Sequence, residues 1–191
     1  MEFIQEFIQK IGKLSKESEN EFLSLLEIKK FKKGSVIAKK GEIPKSFYML
    51  KSGIARSFFV DENNKQYTRT LFRPIASVGA FSALILNKPS RLTYDCLTDC
   101  EMYEGDFQAF KKLCNKNSDI ANMYARGLEG VFIRMERRIY DLSVLDAKQR
   151  YIDLKIRIPN IDNLIPQYHI ASYLNISPVQ LSRIRKDLYS K

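Results

Sequence analysis

Close to the C-terminal end, the stretch Ser177-Pro178-Val179-Gln180-Leu181-Ser182-Arg183-Ile184-Arg185-Lys186 interleaves hydrogen-bonding and cationic side chains with apolar ones. Leu181, Ile184 and Leu188 recur at the helical period and mark an inward face, which leaves Val179, Gln180, Ser182 and Arg183 outward. Ser177 fits the N-cap of such a helix and Pro178 its first turn. The chemistry of the outward residues is specific. A Gln amide matches the adenine edge and an Arg fork matches guanine N7 and O6, while Arg185 and Lys186 suit phosphate oxygens. Just upstream, Ile170, Ala171 and Leu174 describe a second short helix, and Asn175-Ile176-Ser177 separates the two. The pattern is helix, tight turn, helix. A formal net charge of +10 points to a polyanion partner, with nucleic acid the first candidate and an acidic membrane surface the second.

Other reactive residues are few. Cys96, Cys100 and Cys114 are odd in number, and with a single His169 they make no convincing zinc set. They read as reduced core or surface thiols, with Cys96 and Cys100 four apart and able to share a side. His169 reads as a surface or packing residue near the phosphate-facing region. There is no Ser-His-Asp order, phosphate loop or recurring carboxylate pair, so an enzyme has little behind it. No apolar run approaches the roughly 18 residues of a membrane span. The N-terminal stretch lacks a small-residue cleavage site, and the expectation is a cytoplasmic protein.

Several elements must position these residues. The chain has 191 residues and 45% hydrophobic residues, enough for one large or two small domains. Helical periodicity covers Phe3 to Ile11 and Ser15 to Leu26, with Ser15 as cap and Glu17 and Glu19 in the first turn. From Ile28 to Tyr103 the pattern changes to short Val-, Ile-, Phe-, Tyr- and Thr-rich segments. These are punctuated at Lys33-Gly34, Lys40-Gly41, Ser52-Gly53 and Asp61 to Asn64, which predicts a small barrel or sandwich. Asn63-Asn64 predicts a hairpin tip. Asp106 caps a helix with Phe107, Phe110, Leu113 and Cys114 on one face. A long helix starts near Ser118. Along it Tyr124, Leu128, Val131, Met135, Arg138, Leu142 and Leu145 repeat in steps of four and three, a heptad seam that predicts a homodimer. Asp146 caps a further helix, Ala147 to Arg157, and Pro159 to Leu164 forms a short linker.

The whole order resembles the Crp/Fnr family of bacterial transcription regulators. The resemblance is carried by "FKKGSVIAKKGEIPKSFYMLKSGIARSF" (Phe31 to Phe58), by "VGAFSALILNKPSRLTYDCLTDCEMYE" (Val78 to Glu104), and by the terminal pair of helices. It implies an α+β chain in three parts. These are an N-terminal double-stranded β-helix (jelly-roll) barrel of the cyclic nucleotide-binding type over 1–117, a dimerisation helix over 118–145, and a helix-turn-helix domain over 146–191.

By the same resemblance the partners are a near-palindromic double-stranded DNA site, a second copy, a small-molecule effector and RNA polymerase. The implied effector pocket is Gly79, Ala80, Phe81, Ser82, Ser90 and Arg91. Cyclic-nucleotide-binding relatives hold the ribose hydroxyl with a Glu after the Gly, and the phosphate with an Arg followed by Ser or Thr. This chain has Ala80 at the first position and Leu92 at the second, or Ser90 as the Arg partner if the register shifts by one. Losing a buried acceptor costs roughly 1–3 kcal/mol, so the effector implied is not cyclic AMP. The cysteine cluster of oxygen-sensing relatives is missing. The hairpin wing that usually follows the recognition helix is short or absent, with "IRIPNIDNLIP" the only other candidate for it. The alternative is a stand-alone small-molecule sensor whose terminal helices bind protein rather than DNA.

Overall fold

The first apolar stripe does form a helix. In α1 (Glu2–Ile11), Ile4, Phe7 and Ile8 are buried at the spacing of one helical face. The computed structural model describes residues 2–189; Met1, Ser190 and Lys191, at the outer ends of the first and third segments delimited above, lie outside the described residues. Helix α2 (Lys16–Ser24) begins where Ser15 Oγ accepts the Ser18 N–H at 3.2 Å. It stops at Ser24 rather than running to Leu26, because Leu26 is already paired with Gly105 in a strand ladder.

Eight strands follow: β1 (Leu26–Phe31), β2 (Val36–Ala38), β3 (Ser46–Ser52), β4 (Ala55–Val60), β5 (Gln66–Phe72), β6 (Ala76–Val78), β7 (Thr93–Cys96) and β8 (Cys100–Asp106). They form two four-stranded antiparallel sheets, ordered β1-β8-β3-β6 and β2-β7-β4-β5. The β4–β5 hairpin turns at Asn63-Asn64, with Asn64 at φ 60°, a left-handed conformation that Asn tolerates.

Alternation along β3 shows how the sheets are covered. Tyr48 and Leu50 face the barrel interior with Val78, Leu92, Tyr94 and Met102. Phe47 and Met49 face the other way, against Phe22, Phe107, Phe110 and Ile120. A period-2 strand with both faces buried needs cover on both sides; here helices supply the outer layer. The β3–β4 turn is set by Gly53 at φ +91°, where a Cβ would sit 2.3 Å from the Asp99 carbonyl oxygen. Cys96 and Cys100 flank the same region, in the same interior cluster, and all three cysteines are free and buried.

Caps punctuate the helical half. The Asp106 carboxylate accepts the Ala109 N–H at 2.7 Å to start α4 (Phe107–Lys116). Asn117 Oδ1 accepts the Asp119 and Ile120 N–H groups to start α5 (Ser118–Val144). Asp146 and Gln149 close a reciprocal box at α6 (Ala147–Arg157).

The stretch read as a linker contains a one-turn helix, α7 (Ile161–Leu164). Ile161 is fully buried and Asp162 accepts the Tyr151 hydroxyl at 2.7 and 2.9 Å. This segment is packed into the core, which leaves no backbone for a two-stranded wing there. Helices α8 (Gln167–Leu174) and α9 (Pro178–Tyr189) complete the described chain. Tyr151, Leu154, Ile170, Leu174 and Leu181 form their core, and Ile54 and Leu97 of the barrel belong to the same cluster.

Candidate nucleic-acid interface and sensor segment

The turn between α8 and α9 is closed from both sides. Asn175 ends α8 in the left-handed region, at φ 56°, with its N–H donated to the Ala171 and Ser172 carbonyls. Gln180 N–H donates to Ser177 Oγ at 3.2 Å, and Ser177 N–H donates to Gln180 Oε1 at 2.9 Å. This is a capping box, which satisfies two helix-end donors at once. Ser177 therefore stands where the sequence placed it, but Gln180 does not project as a free base reader. Its side chain is folded back onto the cap, and to meet an adenine it would have to leave that bond.

Pro178, Val179, Ser182, Arg183 and Lys186 are exposed, while Leu181 is fully buried and Ile184 and Leu188 pack inward. Arg185 is held by its own domain. Its Nε lies 3.8 Å from Asp162 Oδ1 and its side chain is 26% exposed. The reading of Arg185 as a free phosphate ligand is thus only half right, because one side of the guanidinium already faces a carboxylate. What remains open is a recess of about 230 Å³ lined by Gln167, Ser182, Arg185, Lys186 and Tyr189.

Behind this surface, α8 lies on the outer face of the second sheet. Ser172 Oγ accepts the Thr68 N–H at 2.9 Å and donates to the Gln66 carbonyl at 3.2 Å, so one hydroxyl completes the edge of β5. Arg56 of β4 is 4% exposed and makes a two-pronged bond to Asp95 at 2.8 and 3.0 Å. The same guanidinium donates to Gln66 Oε1 at 2.7 Å, contacts His169 Nδ1 at 2.9 Å, and lies 4.0 Å from the Phe58 ring centroid. Arg only donates, so Nδ1 of His169 must be the acceptor and the ring proton sits on Nε2. Burial, followed by the nearby Arg56 charge, lowers the His169 pKa to about 4. The lone histidine is therefore a buried interdomain acceptor. A cleft of about 540 Å³ runs beside it, between Lys65, Gln66 and Tyr67 of the hairpin and the α8–α9 turn. Sequence reading missed Arg56; its signal was an Arg inside the strand "IARSFFV", where a half-exposed edge would have favoured an alternating pattern.

The expected effector residues fall together around α3 (Phe81–Leu86), a short helix directly after Gly79-Ala80. Gly79 and Ala80 are buried, and Ala80 packs with Val78, Ala83 and Leu92. Phe81 is half-buried beside Phe107, and Ser82 is exposed. The Ser90 hydroxyl donates to the Leu92 carbonyl at 2.7 Å and accepts the Leu92 N–H, while its backbone pairs with Gly41 and Glu42. Its polar groups are satisfied within the loop. Arg91 is exposed and makes no hydrogen bond or ion pair among the described residues, and Leu92 is 6% exposed in the barrel interior. At the two positions where the resemblance implies polar partners for a ribose and a phosphate, Ala80 and Leu92 are thus buried apolar side chains.

The seam along α5 divides. The Tyr124 ring packs edge-on against Phe107 and Phe110 at 6.2 and 5.5 Å. The Arg138 guanidinium lies 4.1 Å from the Tyr173 ring centroid and donates to the Tyr173 carbonyl. Both face their own chain, which corrects their placement on a free seam. Leu128, Val131 and Leu145 are half-buried, and Met135 and Leu142 are 46% and 39% exposed. The most exposed apolar side chains of α5 are Phe132 at 68% and Ile139 at 66%. Leu128, Phe132, Met135, Ile139 and Leu142 also step by four and three. The exposed stripe is therefore rotated by one position at its second and fourth members, and it contains no charge. Choosing the all-apolar heptad over the one containing Arg138 would have found it.

Residues 28–117 match the family model described as the cyclic nucleotide-binding domain. No curated protein sequence matches the chain. Among solved structures it is similar to FixK2 from Bradyrhizobium japonicum, with a TM-score of 0.74 at 16% identity over 86% of this chain and 85% of that one. It is similar to the c-di-GMP-responsive global regulator CLP of Xanthomonas campestris, with a TM-score of 0.70 at 15% identity over 92% of each chain. The catabolite activator protein of Thermus thermophilus aligns over 93% of this chain and 84% of its own, with a TM-score of 0.57 at 20% identity. At these identities the likeness establishes the fold.

Proposed function

From the premise that residues 28–117 form a cyclic nucleotide-binding domain within the fold of Crp/Fnr-type regulators, we propose that the chain is a homodimeric, DNA-binding transcription regulator. The observation that carries this reading is the outer face of α9. Ser182, Arg183 and Lys186 stand exposed on a helix whose inner face is locked by Leu181, in a chain of net charge +10. Arg183 reads a base edge, and Lys186, with the free side of Arg185, grips phosphate. The apolar stripe of half-buried Leu128 and exposed Phe132, Met135, Ile139 and Leu142 pairs with the same stripe of a second copy. A two-fold pair of such helices calls for a near-palindromic site with half-sites about one helical turn, or a multiple, apart.

The effector in this reading is not cyclic AMP. Ala80 and Leu92 are buried apolar side chains at the two implied contact positions, and the Ser90 hydroxyl is committed to its own backbone. Titration calorimetry with cyclic AMP and cyclic GMP is expected to show no saturable heat.

The central test is selection of bound duplexes from a random pool, repeated with Arg183→Ala and Lys186→Ala. Arg183→Ala is expected to relax one base position at a cost of roughly 1–3 kcal/mol. Lys186→Ala is expected to weaken all sequences alike and to flatten the salt dependence. No enrichment with the wild-type protein would favour terminal helices that bind protein instead.

A further inference from the structure

We propose that the Arg56–His169 bond, with Ser172 beside it, is the positioning junction through which the barrel sets the direction of the recognition helix. The inference rests on the DNA-binding reading only for its consequence, not for the junction itself.

Three observations converge on it. First, Arg56 and Asp95 are register partners on neighbouring strands, so the guanidinium is oriented by the sheet before α8 reaches it. All three guanidinium nitrogens are in use, toward Asp95, His169 and Gln66. A planar fork fixed on one side presents its remaining N–H groups in one direction. Second, α8 answers with two polar contacts one helical turn apart: His169 accepts from Arg56, and Ser172 bridges the Thr68 N–H and the Gln66 carbonyl. Two directional contacts spaced along one helix face fix both its position and its rotation, which apolar packing of Ile54 and Leu97 alone would not do. Third, the strand that carries Asp95 also carries Tyr94 and Cys96, whose side chains belong to the barrel interior. Displacement of β7 by anything that alters the interior therefore moves Asp95, then Arg56, then α8. Because α8 and α9 share the buried Leu174 and Leu181, α9 follows.

His169 is in this account a positioning residue. It touches no base or phosphate, and its contribution is an unprotonated acceptor at one fixed point. Asn is the conservative replacement, because its amide oxygen lies near the place of Nδ1; Leu fills the space and offers no acceptor.

The test uses the full chain as wild type, His169→Asn, His169→Leu and Ser172→Ala. Scanning calorimetry reads the junction, and fluorescence anisotropy reads affinity for the duplex recovered by selection from a random 40-base-pair pool. The wild type is expected to melt in one cooperative transition. His169→Leu and Ser172→Ala are expected to split off an earlier transition from the terminal helices, and His169→Asn to restore the single one. Leaving the Arg56 donor without its buried partner is expected to lower duplex affinity by roughly ten- to a hundred-fold in His169→Leu, with His169→Asn close to wild type. A single unchanged transition in both His169→Leu and Ser172→Ala would overturn the junction. So would wild-type affinity in both variants. If the wild type binds no duplex while the transitions still split and are restored as described, the junction stands and the DNA-binding reading falls. If His169→Leu does not fold, Ser172→Ala decides.

Discussion

Arg138 of α5 lies over the ring of Tyr173 of α8, 4.1 Å from its centroid, and donates to the Tyr173 carbonyl. The long helix is thereby tied to the terminal helices of the same chain. A cation on a partly desolvated aromatic face contributes about 0.5–2 kcal/mol. Arg138→Ala is accordingly expected to lower stability by about 1–3 kcal/mol in urea unfolding, with the added hydrogen bond. Sedimentation equilibrium of the variant is expected to match the wild type. A change in association state without a loss of stability would return Arg138 to an intermolecular seam.

The proposed dimer is expected to depend on the two most exposed apolar residues of α5. Ile139→Glu or Phe132→Glu sets like charges against each other across the two-fold axis and splits the dimer, as measured by sedimentation at micromolar concentration. Tyr124→Ala, whose ring packs on Phe107 and Phe110, is expected instead to destabilise the fold by about 3–5 kcal/mol if it behaves as a buried aromatic, and by less in proportion to its partial exposure.

Acid is expected to loosen the interdomain contact through His169. Its folded pKa is about 4 against the ordinary histidine value of 6.5, chiefly because of burial and then because of Arg56; Asp95 opposes the shift and Lys33 adds to it. The unfolded chain takes up a proton as pH falls through about 6.5, while the folded chain resists until about 4. Stability tied to this residue is therefore complete above pH 6.5, falls between 6.5 and 4, and is lost below, by a total of about 3 kcal/mol. Urea midpoints at pH 7, 5.5 and 4.5 should fall more steeply in wild type than in His169→Asn. Parallel slopes would mean that His169 does not titrate in this window.

Gly53→Ala is expected to be among the most damaging single changes in the barrel. The backbone at φ +91° is strained for any side chain, and the new methyl would meet the Asp99 carbonyl at 2.3 Å and Cys100 Sγ at 2.7 Å. The nearest of these atoms is backbone, and the Cys100 side chain is buried. A loss of more than about 1–3 kcal/mol in thermal or urea unfolding is the expected reading. Gly34→Ala, with nothing within 4 Å, is expected to cost less, since it carries only the conformational penalty.

Sequence alone settled what is decided locally. Ser15, Asp106, Asp146 and Ser177 each cap the helix their position announced, because a cap is a bond between a side chain and backbone three residues away. Asn63-Asn64 turned the expected hairpin, and the apolar period separated Leu181 from the exposed Arg183.

Tertiary structure decided the directions of side chains that had more than one acceptable partner. Gln180 is not among them: its partner Ser177 is three residues away, so the bond that holds it is as local as the caps. Arg185 met Asp162 because a one-turn helix folded where a linker had been expected. On α5, two heptads differing at 131/132 and 138/139 are almost indistinguishable as patterns. Only the packing of the barrel and of Tyr173 shows which stripe remains uncovered. The Arg56–His169 bond joins residues 113 positions apart. No periodicity or spacing encodes it, because a contact of that range exists only after two sheets and six helices have chosen their places.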